Sequence, residues 1–260
     1  MVSVTQRISQ IKQPRGGYIK PSQFNFFEYQ DESTLNENEN IHATVIGLAV
    51  DYLTRFIMGA NVSDAFKISL KGANIAEKNF KQNKAIQTAT NLISNITSLD
   101  EKSIISCCKL VTYDVWYRNH IATLKAKGVE ETNPNPDTIQ NIKILVERSL
   151  KFWNEYGPII KDGFTFEPSG YTKSVNTGDG DYLTADTLWD FKVSKDKPSN
   201  RHTLQLLMYW IMGQHSGQDI FINITKLGIF NPRLNKVYTI DMSSISKEAI
   251  EEIEREIICY

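Results

Sequence analysis

Cysteine is scarce in this chain. Cys107, Cys108 and Cys259 are the only three among 260 residues. Three thiols do not make a disulfide framework, and these lack the paired spacing of a zinc site. A reducing, cytoplasmic setting is the natural expectation. Net charge is nearly absent too, at −1 from 29 basic and 30 acidic residues. No global basic field therefore announces a nucleic-acid partner, although a local groove can be basic on a neutral chain. The N-terminal stretch "MVSVTQRISQIKQPRGGYIK" has no apolar run of the signal-peptide kind. No segment approaches the roughly 20 apolar residues that cross a bilayer, so no membrane partner is expected. Gly-x-Ser-x-Gly elbows, Walker loops and dinucleotide fingerprints are missing, which sets aside three large enzyme classes. Internal repeats and low-complexity segments are missing as well.

What remains is ordinary globular composition, with 41% hydrophobic and 23% charged residues. The length is ample for a real core. Residues 1–40 are polar and broken by Pro14, Gly16, Gly17 and Pro21, which predicts a loop-rich arm anchored by "FNFF". Residues 41–157 read as mainly helical. Ile41, Val45, Leu48, Tyr52 and Phe56 recur at helical spacing. Further helices are expected over 63–79 and 85–96, along the whole of "LDEKSIISCCKLVTYDVWYRNHIATLKAK" with a start at Ser98, and over 137–156. Residues 158–260 switch to strand-like segments: "GFTFEP", "YTKSV", "GDYL", "TLWDFKVS", "DIFINITKLGIF" and "KVYTIDM". One helix, "RHTLQLLMYWIMGQH", interrupts them, and another closes the chain over 247–258. The expected fold is α/β (α+β), a mixed sheet flanked by helices with the helical region packed on it as one compact unit.

The segment "GDGDYLTADTLWDFKVSKDK" holds the informative constellation. In an extended strand Leu188, Asp190 and Lys192 share one face, and Trp189, Phe191 and Val193 share the other. "TADT" has the composition of a turn, so the strands carrying Asp181 and Asp190 are expected to pair as a hairpin. Two carboxylates then converge beside an ammonium. A hard divalent cation such as Mg2+ or Mn2+ takes one or two carboxylates and keeps several waters. Such an ion acidifies its water and stabilises charge on an attacked phosphate. A neighbouring lysine can orient that water, or deprotonate it if its own pKa is lowered. Downstream, Gln205 and Tyr209 are four apart on one helical stripe, with Leu204, Leu207, Met208 and Ile211 marking the buried side. The basic segment "KPSNRH", with Arg201, lies at the start of that helix and suits a phosphate contact.

Glycine–x–x–aspartate ending at Asp181, then Asp190–Phe191–Lys192, then Gln205 and Tyr209 on a helix, resembles the PD-(D/E)XK nuclease superfamily, and within it the RecB-like exonuclease branch. The resemblance covers about residues 175–245, including the hairpin "IFNPRLNKVYTID". It implies a restriction-endonuclease-like core and a metal-dependent nuclease acting on DNA, more an exonuclease than an endonuclease, of phage or mobile-element type. Protein partners in recombination or defence fit that setting. It also implies Asp181 and Asp190 as metal ligands, the backbone carbonyl of Phe191 as a further ligand and Lys192 as the catalytic lysine. Gln205, at a helix turn expected near the strand end, is a candidate catalytic and substrate-binding residue that reaches a metal-bound water or a DNA phosphate, and Tyr209 is a substrate-binding candidate. His42 in "NIHATVIGLAVDYL" is the best match to the branch's upstream ligand. Some members carry an iron–sulfur cluster on four cysteines. Three cysteines cannot supply one, so none is expected.

Each feature also has a plainer account. Asp190 and Lys192 suit an ion pair on a solvated strand face. "GDGD" suits a turn, "KPSNRH" a plain exposed basic loop, Gln205 and Tyr209 an ordinary helix edge, His42 a boundary histidine, and Cys107 and Cys108 small core fillers. Asp51–Arg55 and Asp114–Arg118 have the four-residue spacing of helical ion pairs. The alternative to a nuclease is a non-catalytic interaction protein, such as a phage-encoded inhibitor, that retains the fold.

Overall fold

The computed structural model describes residues 2–260, apart from the side chain of His120. In chain order the elements are α1 (Val4–Gln10), β1 (Asn25–Glu28), α2 (Ala43–Ile57), α3 (Val62–Ala65), α4 (Lys67–Phe80), α5 (Ala85–Ser94), α6 (Glu101–Leu110), α7 (Asp114–Arg118) and α8 (Pro136–Tyr156). They continue as β2 (Lys161–Phe164), β3 (Gly180–Leu183), β4 (Thr187–Phe191), α9 (Asn200–His215), β5 (Lys226–Asn231), β6 (Lys236–Asp241) and α10 (Lys247–Glu252). The chain forms two compact units. One comprises Met1–Gln30 with Phe152–Tyr260, the other Asp31–Lys151.

The first unit is built on a six-stranded mixed sheet of order β1-β6-β5-β4-β3-β2. Every neighbouring pair is antiparallel except β4 and β5, which run parallel and are joined through α9. Alternation along the strands fills two cores. Leu183, Leu188, Leu227, Ile229 and Ile240 enter a large aliphatic cluster with α9. Tyr182, Trp189, Phe230 and Val237 enter an aromatic cluster with Phe152 and Trp153 from the last turn of α8. Phe152 stacks on Phe230 with ring centroids 4.1 Å apart. Helix α9 is buried around most of its circumference, with Leu206 and Met212 inside as well as the four residues its periodicity marks. A helix apolar nearly all round belongs at the centre of a core. Each such aliphatic side chain contributes about 1.5–3 kcal/mol on burial.

Local structure departs from expectation at several places. The N-terminal arm is not only loop. Ser3 caps α1, its hydroxyl accepting from the Gln6 amide while the Gln6 side chain accepts from the Ser3 amide. "FNFF" supplies β1, which pairs with β6 at the sheet's edge. "YTKSV" forms a turn, closed by Thr172 N–H donating to the Val175 carbonyl. The closing helix α10 widens into a π-helical stretch over Ile253–Ile258.

In the second unit the long helix expected from Ser98 is broken. It starts at Asp100, whose carboxylate accepts from the Ser103 amide at 2.7 Å, while Ser98 donates to that carboxylate. It stops at Leu110, tightens to a 3-10 turn over Val111–Tyr113, and resumes briefly as α7. Packing causes the break. A methyl group added to Gly72 in α4 would lie 2.0 Å from the Tyr113 carbonyl oxygen. The two backbones meet there, and Asp114 turns inward to accept from Ser69 at 2.5 Å and Tyr52 at 2.6 Å. The helix expected over 63–79 is likewise divided at Phe66. The Asp51–Arg55 and Asp114–Arg118 ion pairs are both present.

Candidate functional site

Strands β3 and β4 form the anticipated hairpin. Tyr182 pairs with Trp189 and Leu183 with Leu188, and Thr184 N–H donates to the Thr187 carbonyl across the turn. The indole of Trp189 donates to the Thr184 hydroxyl at 3.0 Å, which pins the turn to the strand. Carried one residue further, the same register sets Asp181 opposite Asp190. Tyr182 and Trp189 occupy the aromatic face, so the alternation of a strand turns both acids to the face covered by α9. Gly178 introduces β3 with a φ of +140°, a conformation that favours glycine. Tyr171 donates its hydroxyl to the Gly178 carbonyl and fixes that approach.

Asp190 is 2% exposed. Its Oδ1 accepts from Lys192 Nζ at 2.8 Å and, at the long distance of 3.5 Å, from Gln205 Nε2. Its Oδ2 is buried without a hydrogen-bond partner. A buried carboxylate oxygen left without a partner costs free energy unless something else satisfies it. Asp181 Oδ2 accepts from the backbone amide of Phe191 at 2.8 Å. A residue's N–H and C=O leave a strand on the same side, so the Phe191 carbonyl faces the Asp181 side as well.

Lys192 is 26% exposed at its side chain. Burial draws its pKa down, but the carboxylates of Asp190 and Asp181 and the hydrogen bond to Asp190 outweigh that, and the net shift is upward. The group is therefore an ammonium at neutral pH.

Helix α9 supplies the other wall. Gln205 Nε2 donates to the Tyr209 hydroxyl at 3.0 Å, and both residues are buried. The Tyr209 phenol is pushed well above its usual range by burial, and next by the negative charges of Asp181 and Asp190. His202, one turn nearer the helix start than Gln205, joins this wall. Its pKa is lowered by burial and by the Lys192 charge, against an opposing pull from Asp190. In the sequence His202 is only the last residue of the basic segment "KPSNRH"; its alignment with Gln205 on α9 is what the structure adds. Arg201 is exposed beside it.

The first unit thus gathers Asp181, Asp190, Lys192, Gln205 and Tyr209. His42 lies in the second unit, exposed, where its Nδ1 accepts from the Thr44 amide at 3.2 Å and caps α2. Among the described residues no group of three or more His, Cys, Asp or Glu side chains is gathered as a metal site. Cys107 and Cys108 are buried, and all three thiols are free.

No protein-family model matches the chain, and neither does any curated protein or solved structure.

Proposed function

We propose that the chain is a divalent-metal-dependent nuclease with a restriction-endonuclease-like core, hydrolysing phosphodiester bonds of DNA at the β3–β4–α9 wall. The observation that carries this reading is the buried, partnerless Oδ2 of Asp190, placed beside an ammonium and on the face it shares with Asp181. Two carboxylates and the carbonyl side of Phe191 form an all-oxygen donor set, which suits Mg2+ or Mn2+. When bound, the ion supplies a more acidic water and charge stabilisation at the phosphate.

The side chains divide the remaining work. Asp190 and Asp181 present anionic oxygens. Lys192, paired with Asp190 at 2.8 Å, orients a water and faces negative charge building on the phosphate. Gln205 is a neutral donor that steadies Asp190 and Tyr209. Arg201, exposed in the first turn of α9, supplies a cation for a phosphate contact.

A second reading has its own observation. The 2.8 Å pair of Lys192 with Asp190 already neutralises the buried acid, as it would in an interaction protein that keeps a nuclease-like fold without activity. Metal separates the two. Under the nuclease reading, titrating Mn2+ raises the melting temperature saturably, by mass action on the folded state, and labelled DNA is cut with Mg2+ or Mn2+ but not with EDTA. Absence of both effects at millimolar metal favours the interaction protein.

A further inference from the structure

We infer that His202 is a substrate-binding residue, a neutral hydrogen-bond donor to a phosphate oxygen of the nucleic acid held at the β3–β4–α9 wall. The inference rests on the nuclease reading and extends it to a residue outside the acid–acid–lysine set.

Three observations converge on His202. The first is position. His202, Gln205 and Tyr209 fall at i, i+3 and i+7, one stripe of α9. Gln205 on that stripe reaches Asp190 at 3.5 Å and Tyr209 at 3.0 Å. Helix α9 begins soon after β4 ends, so the first turn of the stripe lies toward the Lys192 end of the strand. His202 occupies that turn, and the charges felt at its ring are those of Lys192 and Asp190.

The second is the hydrogen-bond arrangement of the ring. Nδ1 accepts from the Ser199 backbone amide at 3.2 Å, the contact that fastens the start of α9. With Nδ1 engaged as an acceptor, the proton of the neutral imidazole sits on Nε2. The ring is therefore a donor of fixed tautomer, oriented by the backbone.

The third is charge. An imidazolium could not accept from the Ser199 amide at Nδ1, and burial, then the Lys192 charge, lowers the ring's pKa in the same sense, so His202 offers an N–H without adding a second cation beside Lys192. A phosphodiester has acceptor oxygens and no donors, and it is the chemistry this donor matches. A hydrogen bond to a charged acceptor of this kind is stronger than one between neutral groups.

The test uses the full chain and a short labelled DNA duplex. Affinity is measured with Ca2+ in place of Mg2+, and turnover with Mg2+. His202→Ala should weaken DNA binding by roughly 10-fold, the low end for a hydrogen bond to a charged group, and raise KM more than it lowers kcat. Because the lost donor is neutral, the slope of log affinity against log salt should stay at the wild-type value. Arg201→Ala, which removes an exposed cation, serves as the contrast and should flatten that slope. His202→Gln should recover most of the binding, since glutamine at this position keeps an acceptor for the Ser199 amide and offers an N–H. Mn2+-dependent stabilisation should be the same in wild type, His202→Ala and His202→Gln. If wild type binds and cleaves while His202→Ala has unchanged affinity and KM, the inference is wrong and the nuclease reading stands. A His202→Ala defect that His202→Gln does not recover, or one that flattens the salt slope, overturns the neutral-donor role. If wild-type protein neither binds nor cleaves DNA, the nuclease reading and this inference fall together.

Discussion

At the scale of single residues, the decisive group is Asp190. Its strand position buries it, one oxygen takes Lys192, and the other has no protein partner. Under the proposed function, Asp190→Ala and Asp181→Ala lose Mn2+-dependent stabilisation and cleavage together. Lys192→Ala is expected to behave differently. It removes a group that faces charge developing in the reaction, so it should keep Mn2+ and DNA binding while cleavage falls by at least about 10²-fold. Gln205→Ala should be milder, because a neutral amide contributes orientation and no charge. Steady-state digestion of labelled DNA, paired with melting curves in Mn2+, checks the set. Equal cleavage by wild type and Lys192→Ala would remove the lysine from the mechanism.

At the scale of elements, the site depends on how closely β2 and β3 approach. A methyl group added to Gly180 would lie 2.0 Å from the ring of Phe164. That ring is buried at 1% exposure and packed edge-on against Phe166 and Phe221, so it has little room to yield. Gly180→Ala should therefore cost about 1–3 kcal/mol of stability, the usual range for overpacking a core. Because β3 carries Asp181 at the next position, the same variant should weaken Mn2+ binding. Urea unfolding and a metal titration measure the two effects. Wild-type stability in Gly180→Ala would show that the strand pair is looser than its geometry implies.

At the scale of the whole molecule, stability against pH carries a signature of the helical unit. Burial raises the pKa of Asp114, against the lowering pull of the Ser69 and Tyr52 hydroxyls and of Arg118. A carboxyl group with a raised folded pKa binds its proton more tightly in the folded state. Its contribution to stability is complete below the ordinary carboxylate pKa of about 3.9, and is lost as pH rises through the raised value. Asp114→Asn has no such proton. The stability of wild type relative to Asp114→Asn should therefore fall as pH is raised from the acid side toward neutrality. Urea midpoints for both proteins at stepped pH test this, and a relative stability that rises instead would contradict it.

Local chemistry written in the sequence determined much of this protein. Period-two alternation in "TLWDFKVS", the "TADT" turn and the "NPRLN" turn were enough to expect the β3–β4 and β5–β6 hairpins and to put Asp190 and Lys192 on one face. The i, i+4 spacing of Gln205 and Tyr209 was enough to align them on α9. These are short-range relations, fixed by backbone period and turn composition. Long-range packing decided the rest. Burial of Asp190 needs α9 laid over the sheet, and "FNFF" becomes a strand only because β6 offers an open edge. The helix after Ser98 breaks where Gly72 meets Tyr113, about 40 residues away in sequence. The pKa of Lys192 was open in the sequence, since burial and neighbouring charge act in opposite directions. Only the folded arrangement of Asp190 and Asp181 around it settles the balance upward.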